Sequence, residues 1–510
     1  VDPFDPAVED RMRATARTLV RPYRDEPRRI GYFSDNEVGW WNGALFGFYL
    51  ARPATNHTKA RLLALLREHY GGEWARFTRD FVPPPGVSSF ADLLRSTGQR
   101  AYLRAGGAGI AVVRQWTGIV AERYYRCVRR ALRAADPEAL VFGDRLPIYY
   151  DPVAVRAMVP YVDAIATNYN VDSPDGWIAR YYFDGLRRLT AGKPVLVSEW
   201  FFAAQENRTG NRNNGHLMTV RTQAERARGA AAAAETFARE PSIVGIHWFQ
   251  YYDHPTGGRP DGEDYNFGLV DAGDHPYEEL TAAFGRVNPR LAALHANAGR
   301  RVVRDRHEIP EAHIDPADHS LADWPKERAL VATAKAPAPE IPFGDLYLAW
   351  DRDGLYLATI AMDYYAPELI APDSELPLGE TLHVDIGVDA GHGPRRFTLY
   401  VVPPRTHEEG DAYAMRAELR RTDGGRSDAV PAAIATYFGA DQPRITAEAR
   451  LPWTALGVDG PPSRALRVEL AVTAFHRARW MSWSGRSPAD AFADPSRWRR
   501  LRLAPAATRR

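Results

Sequence analysis

The sequence is poor in the features that mark several classes of protein. It has one cysteine, Cys127, among 510 residues, which excludes an internal disulfide and a cysteine-based zinc site. Its 65 basic and 64 acidic residues leave a net charge of +1, so no excess of positive charge points to nucleic acid or an anionic membrane as a partner. No apolar run approaches the roughly 20 residues that span a bilayer. A hydrophobic content of 45% instead indicates a globular protein with a substantial core.

The first residues carry no targeting signal. The chain opens on Val1 and at once takes the pattern of a helix, without the basic and apolar regions of a signal peptide. We therefore expect a chain that has been processed or cut from a longer one. The sequence does not indicate the cellular compartment.

Short β-rich runs alternate with amphipathic helical stretches up to about residue 290. Five runs have the pattern of strands: RRIGYFSDNE, ALVFGDRL, DAIATNYN, KPVLVSEW and SIVGIHWFQYY. Apolar strands that alternate with helices predict parallel β/α units with a buried sheet. Because a (β/α)8 TIM barrel has eight strands, we expect strands 4 to 8 of such a barrel, with the first three units lying before Val1.

Polar residues stand at the end of each predicted strand. In parallel β/α folds the chemistry gathers at the carboxyl ends of the strands. The residues at these ends are Asp35, Asn36 and Glu37; Asp144 and Arg145; Asn168 and Asn170; Glu199; and Gln250 and Asp253.

Two of these strand ends carry a glutamate followed by aromatic residues. Trp40 and Trp41 come after Glu37, and Trp200 comes directly after Glu199. Retaining glycoside hydrolysis uses two carboxyl groups about 5–5.5 Å apart, and indole rings offer flat apolar faces to a sugar. A single glutamate at a strand end is more often a solvated or ion-paired surface residue. Two of them in aromatic surroundings within one β/α region favour a catalytic pair.

Three segments then resemble a known family. SDNEVGWW is similar to the fourth-strand segment of clan A retaining glycoside hydrolases, and VLVSEW to their seventh-strand segment. GIHWFQYYDHPTGGRPDGEDYNFGLVDAGDHPYEEL resembles the eighth-strand region of the β-agarase branch of that clan, glycoside hydrolase family 50. The resemblance covers roughly residues 1–290.

The resemblance implies roles for individual residues. Glu37 would be the acid/base and Glu199 the nucleophile. Asn36 would contact the hydroxyl next to the reacting carbon, Tyr169 would donate a hydrogen bond to the nucleophile, and Trp248 would form the sugar platform.

The family also implies a reaction and a partner. We expect β-linked galactosides or galactans to be cleaved by double displacement through a covalent glycosyl-enzyme intermediate. The partner would be an oligo- or polysaccharide, with no metal or other cofactor. Secretion or a periplasmic location follows only by analogy with the family.

Further side chains near the strand ends are candidates for substrate binding. They are Trp40, Asn168, Gln250, Glu263 and Asn266. Glu263 and Asn266 either line the sugar cleft or only form turns. Alternation along the last strand lets only one of His247 and Trp248 face the interior, and we favour Trp248. The loop around Glu206 and Asn207 is expected to be mobile over the site.

The pattern changes after a polar, proline-containing stretch. The segment LYLAWDRDGLYLATIAMD alternates apolar and polar residues around an Asp-Gly turn, which predicts a hairpin, and further alternating runs follow. This region predicts an all-β sandwich and resembles a family 9 carbohydrate-binding module. The expected organisation is a TIM-barrel portion (1–295), a linker (296–312) and the sandwich (313–505). Its aromatic residues Trp480, Trp483 and Trp498 either bind sugar or pack in the core.

Two other functions stay open. The chain has Trp-Phe-Phe after Glu199 where many agarases carry a histidine-containing run, so a clan A enzyme of β-glucosidase, mannanase or xylanase type is one alternative. The other alternative is a non-catalytic carbohydrate-binding protein, which the count of only five strands favours.

Overall fold

The structure is a computed structural model, and it describes most of the chain. The described residues are 2–104, 108–215, 217–299, 307–318, 320–331, 341–362, 367–371, 382–402, 416–425, 427–431, 434–439, 442–474 and 479–505.

The secondary structure mixes helices and strands in the first part of the chain and is mostly strands afterwards. The described helices are α1 (Val8–Val20), α2 (Asn42–Leu50), α3 (His57–His69), α4 (Trp74–Asp80), α5 (Phe90–Arg95), α6 (Ile110–Ala135), α7 (Pro152–Met158), α8 (Arg180–Leu189), α9 (Gln223–Ala238), α10 (Glu278–Ala296), α11 (Lys326–Ala329) and α12 (Pro488–Ala493). The described strands are β1 (Gly31–Asn36), β2 (Phe81–Val82), β3 (Tyr102–Leu103), β4 (Leu140–Leu146), β5 (Ile165–Asn168), β6 (Val195–Trp200), β7 (Ala203–Ala204), β8 (Thr219–Val220), β9 (Ile243–Trp248), β10 (Glu308–Pro310), β11 (Gly344–Trp350), β12 (Gly354–Met362), β13 (Leu382–Asp389), β14 (Pro394–Val402), β15 (Arg416–Arg421), β16 (Asp428–Ala429), β17 (Ile434–Gly439), β18 (Gln442–Pro452), β19 (Leu466–Ala474), β20 (Arg479–Ser482) and β21 (Arg499–Ala504).

The five predicted strands of the β/α region are confirmed as β1, β4, β5, β6 and β9. Local sequence explains where the intervening helices begin. Thr222 caps α9, since its side chain accepts from the backbone of Glu225 while the Glu225 carboxylate accepts from the backbone of Thr222. The Asp151 carboxylate caps α7. Pro152 occupies the first turn of this helix, where the backbone N–H that proline lacks would have no partner within the helix.

The chain forms two compact units that interleave along the sequence. Unit 1 comprises Val1–Thr167, Leu189–Leu196 and Tyr364–Glu380, and unit 2 comprises Asn168–Arg188, Val197–Asp363 and Thr381–Arg510. The expected organisation into residues 1–295, 296–312 and 313–505 stays a prediction.

In unit 1, β1, β4 and β5 are parallel neighbours. Asp35 lies opposite Asp144 and Asn36 opposite Arg145 in the register of β1 and β4. Because parallel strands end at one edge of a sheet, the polar ends of these strands come together as predicted. Helix α6 turns a buried face that includes Trp116 and Tyr125 toward this core.

In unit 2, backbone hydrogen bonds connect the end of β6 to the end of β5 and to the residue that follows β9. The Tyr169 N–H donates to the Glu199 carbonyl at 2.7 Å, and the Phe249 N–H donates to the Trp200 carbonyl at 2.9 Å. The resulting strand order is β1-β4-β5-β6-β9. These pairings fit part of a barrel, while the (β/α)8 architecture itself stays a prediction.

The remainder of unit 2, from β10 to β21, consists mostly of strands, as the alternating sequence predicts. We call this part of the chain the β-region. One sheet has the order β11-β12-β18-β17, and the other has the order β10-β21-β19-β13-β14-β15-β16 with β20 beside β19. The predicted hairpin is confirmed as β11 and β12, which pair antiparallel with Leu348 opposite Leu357. Every residue of β12 is buried, so this strand belongs to the core. Among the described helices none is both long and apolar enough to cross a membrane.

Candidate active site

Glu199 lies at the end of β6 and is partly exposed, between the buried residues Ser198 and Trp200. Because side chains alternate along a strand, Glu199 and Trp200 point to opposite faces. Trp200 packs against Phe237 of α9 and Phe284 of α10, with ring centroids 5.5 and 5.9 Å apart. Glu199 therefore projects from the face opposite these helices.

The Asn168 side chain contacts the Glu199 carboxylate. Its amide nitrogen donates to Glu199 Oε2 at 3.2 Å, and its amide oxygen accepts from the Ser198 hydroxyl at 2.9 Å. The second bond fixes which end of the amide faces the glutamate. A donor aimed at a carboxylate favours its ionised form, which is the form a nucleophile needs.

Tyr169 is placed differently from the expectation. Its hydroxyl donates to Asp172 rather than to Glu199, and its ring is fully buried against Tyr182 and Phe183. The reason is alternation: Asn168 faces the glutamate, so its neighbour Tyr169 faces the helices. The backbone N–H of Tyr169 donates to the Glu199 carbonyl, as described above.

Glu37 follows β1 in unit 1 and is exposed, as is Asn36. The Glu37 N–H donates to the Arg145 carbonyl at 2.9 Å, which extends the pairing of β1 with β4 by one residue. Its φ of 52° lies in the left-handed region, which is uncommon for a residue with a side chain. Such conformations concentrate at functional sites, where surrounding structure holds them in place.

Trp40 is buried rather than open to a substrate. It is 5% exposed, its indole N–H donates to the Tyr125 hydroxyl at 2.8 Å, and its ring contacts Tyr124 and Tyr125. Trp40 has a φ of 48° and lies in the turn between β1 and α2. The structure thus makes Trp40 a packing residue, in contrast to the expected contact with sugar.

Asp144 is a buried carboxyl beneath the same strand ends. The Tyr125 hydroxyl donates to one of its oxygens, and burial raises the pKa of Asp144 to about 7. Trp40, Tyr125 and Asp144 therefore form a chain of polar contacts behind the Glu37 turn.

Trp248 packs in the aromatic layer between the sheet and α10. Its ring lies 4.9 Å from Trp200 and 5.0 Å from Phe284, and its indole N–H donates to the Phe267 carbonyl at 2.9 Å. Since Trp248 shares the face of Trp200, the more exposed His247 occupies the opposite face. This arrangement differs from the expected platform, for which Trp248 would share the face of Glu199.

The loop after β9 is held by buried polar contacts. Asn266 is fully buried, and its side-chain oxygen accepts from the Ala204 N–H at 2.8 Å, so it is part of a turn rather than of an open cleft. The Gln250 N–H donates to the Phe267 carbonyl at 3.3 Å. Glu263 is the more exposed candidate and pairs with Arg259 at 3.2 Å.

The loop around Asn207, expected to be mobile, is fixed by the same network. Asn207 accepts from the backbone of Gly210 and Asn211 at 2.7 and 2.9 Å. The Asn211 amide in turn donates to the buried Asp264 carboxylate at 2.8 Å. Residues 205–215 are therefore anchored to the chain that follows β9.

Across the part of the chain that the structure describes, no cluster of three histidine, cysteine, aspartate or glutamate side chains is arranged to hold a metal ion.

Known proteins similar to this chain are β-agarases. β-Agarase B of Vibrio sp. (strain JT0107) is 26% identical over 304 residues, which are 58% of this chain and 30% of that protein. β-Agarase A of the same strain is 29% identical over 284 residues, which are 52% and 27% of the two chains. The chain spans about three-tenths of the length of these curated relatives. No protein-family model matches it.

A solved structure supports the same relationship. The structure of an exo-β-agarase superposes with a TM-score of 0.50 at 26% identity, and it covers 58% of this chain and 39% of that one. The chain is thus a relative of glycoside hydrolases. In particular it resembles the β-agarases, which the three sequence segments predicted. The likeness of residues 313–505 to family 9 carbohydrate-binding modules stays a prediction.

Sequence reasoning did not find the partners of the Asn168–Asp172 segment. Arg444 lies 272 positions from Asp172, yet its guanidinium contacts that carboxylate at 2.6 Å. No local pattern signals so distant a pair. The direction of the Asn168 side chain, in contrast, can be predicted from the alternation of side chains along a strand, as for His247 and Trp248.

Proposed function

We propose that this chain carries the catalytic carboxylates of a retaining glycoside hydrolase that cleaves β-linked galactosides or galactans. Glu199 acts as the nucleophile and Glu37 as the acid/base. The observation that carries the proposal is the Asn168 amide donating to Glu199 at the end of β6. The similarity to β-agarases supplies the substrate class.

Glu199 would attack the anomeric carbon through one carboxylate oxygen. The bond to the leaving oxygen breaks, and a covalent glycosyl ester forms on Glu199. Asn168 stabilises the ionised carboxylate before attack, and Ser198 keeps the amide oriented.

Glu37 would donate a proton to the leaving oxygen and then accept one from the water that hydrolyses the ester. Both roles need a carboxyl group within reach of solvent and substrate, and Glu37 is exposed at the end of its strand. Neighbouring Asn36 would hydrogen-bond the hydroxyl next to the reacting carbon, by the resemblance to clan A enzymes.

Two further side chains are proposed to contact the substrate. Gln250 and Glu263 are partly exposed and suit a role in sugar binding. The proposed domain organisation is the one predicted from the sequence: a catalytic barrel portion over 1–295, a linker and an appended β-sandwich over 313–505.

A non-catalytic carbohydrate-binding protein is the second candidate. The described residues of the β/α region form the strand order β1-β4-β5-β6-β9, and the sequence leaves this candidate open. Such a protein would bind sugar without cleaving it.

A panel of β-linked galactans, xylans, mannans and glucans, with activated aryl glycosides, separates these functions. The proposal expects cleavage of the galactan with retention of anomeric configuration, observed by NMR of the first products. Release of inverted product would contradict the double displacement, and preference for another polysaccharide would contradict the substrate class. Equal binding without cleavage by the native protein and by Glu199→Gln would establish the binding protein.

A further inference from the structure

The short segment Asn168–Asp172, which begins at the last residue of β5, is held from two sides. On one side it meets Glu199, through the Asn168 amide and the Tyr169 backbone. On the other side it meets β18, a strand of the β-region. Both contacts lie within unit 2. Asn170, which a strand of the β-region contacts, is therefore two residues along the chain from Asn168, which contacts Glu199.

Arg444 near the start of β18 makes the second contact. Its Nη1 atom donates to the Asn170 carbonyl and to the Asp172 carboxylate, each at 2.6 Å. The Arg444 side chain is 11% exposed and that of Asp172 is fully buried. A buried charge pair of this kind is geometrically demanding, because each charge needs its partner in place.

The Asp172 carboxylate accepts further hydrogen bonds. One oxygen accepts from the Tyr169 hydroxyl and from the Ala179 N–H, the latter at 2.8 Å, while the other oxygen accepts from Arg444. Burial raises the pKa of Asp172, against the lowering influence of Arg444 and of these hydrogen bonds. The carboxylate thus ties Tyr169 and the start of α8 to the β-region.

Other contacts fasten the following residues to the β-region as well. Asp345 on β11 accepts from the backbone N–H groups of Arg180 and Tyr181 at 2.6 and 3.1 Å, at the first turn of α8. The Trp177 indole donates to the Tyr347 hydroxyl at 3.0 Å. The segment 168–188 is therefore attached to the β-region by several hydrogen bonds.

These contacts lead directly to the glutamate. Asn168 and Tyr169 directly precede Asn170, whose carbonyl Arg444 contacts, and the Asn168 amide faces Glu199 Oε2. A misplacement of about 1 Å in such a contact can cost roughly 100-fold in rate. The segment that carries the Asn168 amide is therefore contacted by a side chain of the β-region.

We infer that Arg444 is a positioning residue for Glu199, acting through Asp172 and the Asn168–Asp172 segment. The β-region then has a part in catalysis that is independent of any sugar it binds. This inference rests on the proposed function, because it takes Glu199 to be the nucleophile.

The test compares three variants of the full chain. Arg444→Met removes the charge and keeps most of the stem, Arg444→Lys keeps the charge, and Arg396→Met is the matched control. Arg396 pairs with the buried Asp385 at 3.0 Å between β13 and β14, which belong to a different sheet from β11 and β18. Each protein is measured for kcat, KM, the pH profile of kcat, thermal unfolding, and hydrogen exchange over residues 168–172.

Arg444→Met is expected to lower kcat by about 10–100-fold with KM changed less than about 3-fold. The acidic limb of its pH profile should move to higher pH, since the ionised carboxylate loses a well-placed donor. Arg444→Lys should recover part of kcat. Arg396→Met should keep both kcat and the acidic limb even if it unfolds at a similar temperature.

Equal effects of Arg444→Met and Arg396→Met on kcat and on the pH profile would overturn the inference. Hydrogen exchange separates this failure from failure of the proposed function, since it needs no turnover. If the native chain cleaves no glycoside, the proposed function fails, and faster exchange of the Tyr169 amide in Arg444→Met alone still supports the positioning. Unchanged exchange at that amide overturns the positioning in either case.

Discussion

The strand end that carries Glu199 and the strand end that carries Glu37 are held by different kinds of contact. Glu199 has a side-chain donor, Asn168, which is itself oriented by Ser198. Glu37 stands on a left-handed turn, and the polar chain behind it runs through Trp40 to a buried aspartate. The first arrangement fixes a side chain, whereas the second fixes a backbone.

This difference matches the different demands of the two proposed roles. A nucleophile must stay ionised and aimed at one atom, so a fixed donor suits Glu199. An acid/base must hold and release a proton in turn, so a group in contact with solvent suits Glu37. The comparison can be tested by changing each end separately.

The largest effect is expected from replacing the two glutamates. Glu199→Gln should lower turnover by several orders of magnitude on every substrate, because the attacking oxygen is lost, while sugar binding persists. Glu37→Gln should slow galactan cleavage strongly but spare the first step with an aryl glycoside, whose leaving group needs no proton. The value of kcat/KM, which reports the first step, is compared for both substrates to check this contrast. An equal loss on both substrates by both variants would remove the assignment of separate roles.

A smaller effect should distinguish Asn168 from its neighbour. Asn168→Ala removes the donor to Glu199 and should lower kcat by about 10–100-fold, the range of a lost hydrogen bond to a charged group. Tyr169→Phe removes a hydroxyl that faces Asp172 and should lower stability more than kcat. Measurement of kcat and of the unfolding midpoint for both variants decides between them. A larger loss of kcat in Tyr169→Phe would restore the role first expected for Tyr169.

The buried aspartate behind Glu37 should give a pH-dependent effect on stability. Between about pH 4 and pH 7, folded Asp144 keeps a proton that the unfolded chain has lost, so its contribution to the free energy of unfolding falls as the pH rises. Asp144→Asn stays neutral throughout. We expect the variant to gain a few degrees in melting temperature relative to the native chain between pH 5 and pH 8. A constant difference between the two melting curves would show that Asp144 does not titrate in this window.

The smallest effect on activity is expected at Trp248. Trp248→Phe keeps a ring against Trp200 and Phe284 and loses only the hydrogen bond to the Phe267 carbonyl. We expect KM within about 3-fold of the native value and a loss of stability of about 1 kcal/mol. A rise of KM by more than about 30-fold would instead identify Trp248 as the sugar platform.

The sequence predicted the strands of the β/α region well because strands depend on local pattern, while the catalytic roles of the two glutamates stay predictions. The apolar run before Glu199 and the Asp-Gly hairpin between β11 and β12 are each readable within about twenty residues. Side-chain direction was not predicted, since Tyr169 and Trp248 were expected by resemblance to face the site and instead pack in the aromatic layer with Trp200 and Phe237. The pairing of Arg444 with Asp172 joins residues far apart in the chain, and only a folded structure reveals it.

The most direct measurement is to trap the covalent intermediate. The native chain is incubated with an activated fluorinated β-galactoside, which forms the glycosyl ester quickly and hydrolyses it slowly, and the labelled peptide is identified by mass spectrometry. We predict a single label on Glu199 that is absent from Glu199→Gln and forms more slowly in Asn168→Ala. A label on another residue, or cleavage of galactan by a chain that takes up no label, would contradict the assignment of Glu199 as the nucleophile.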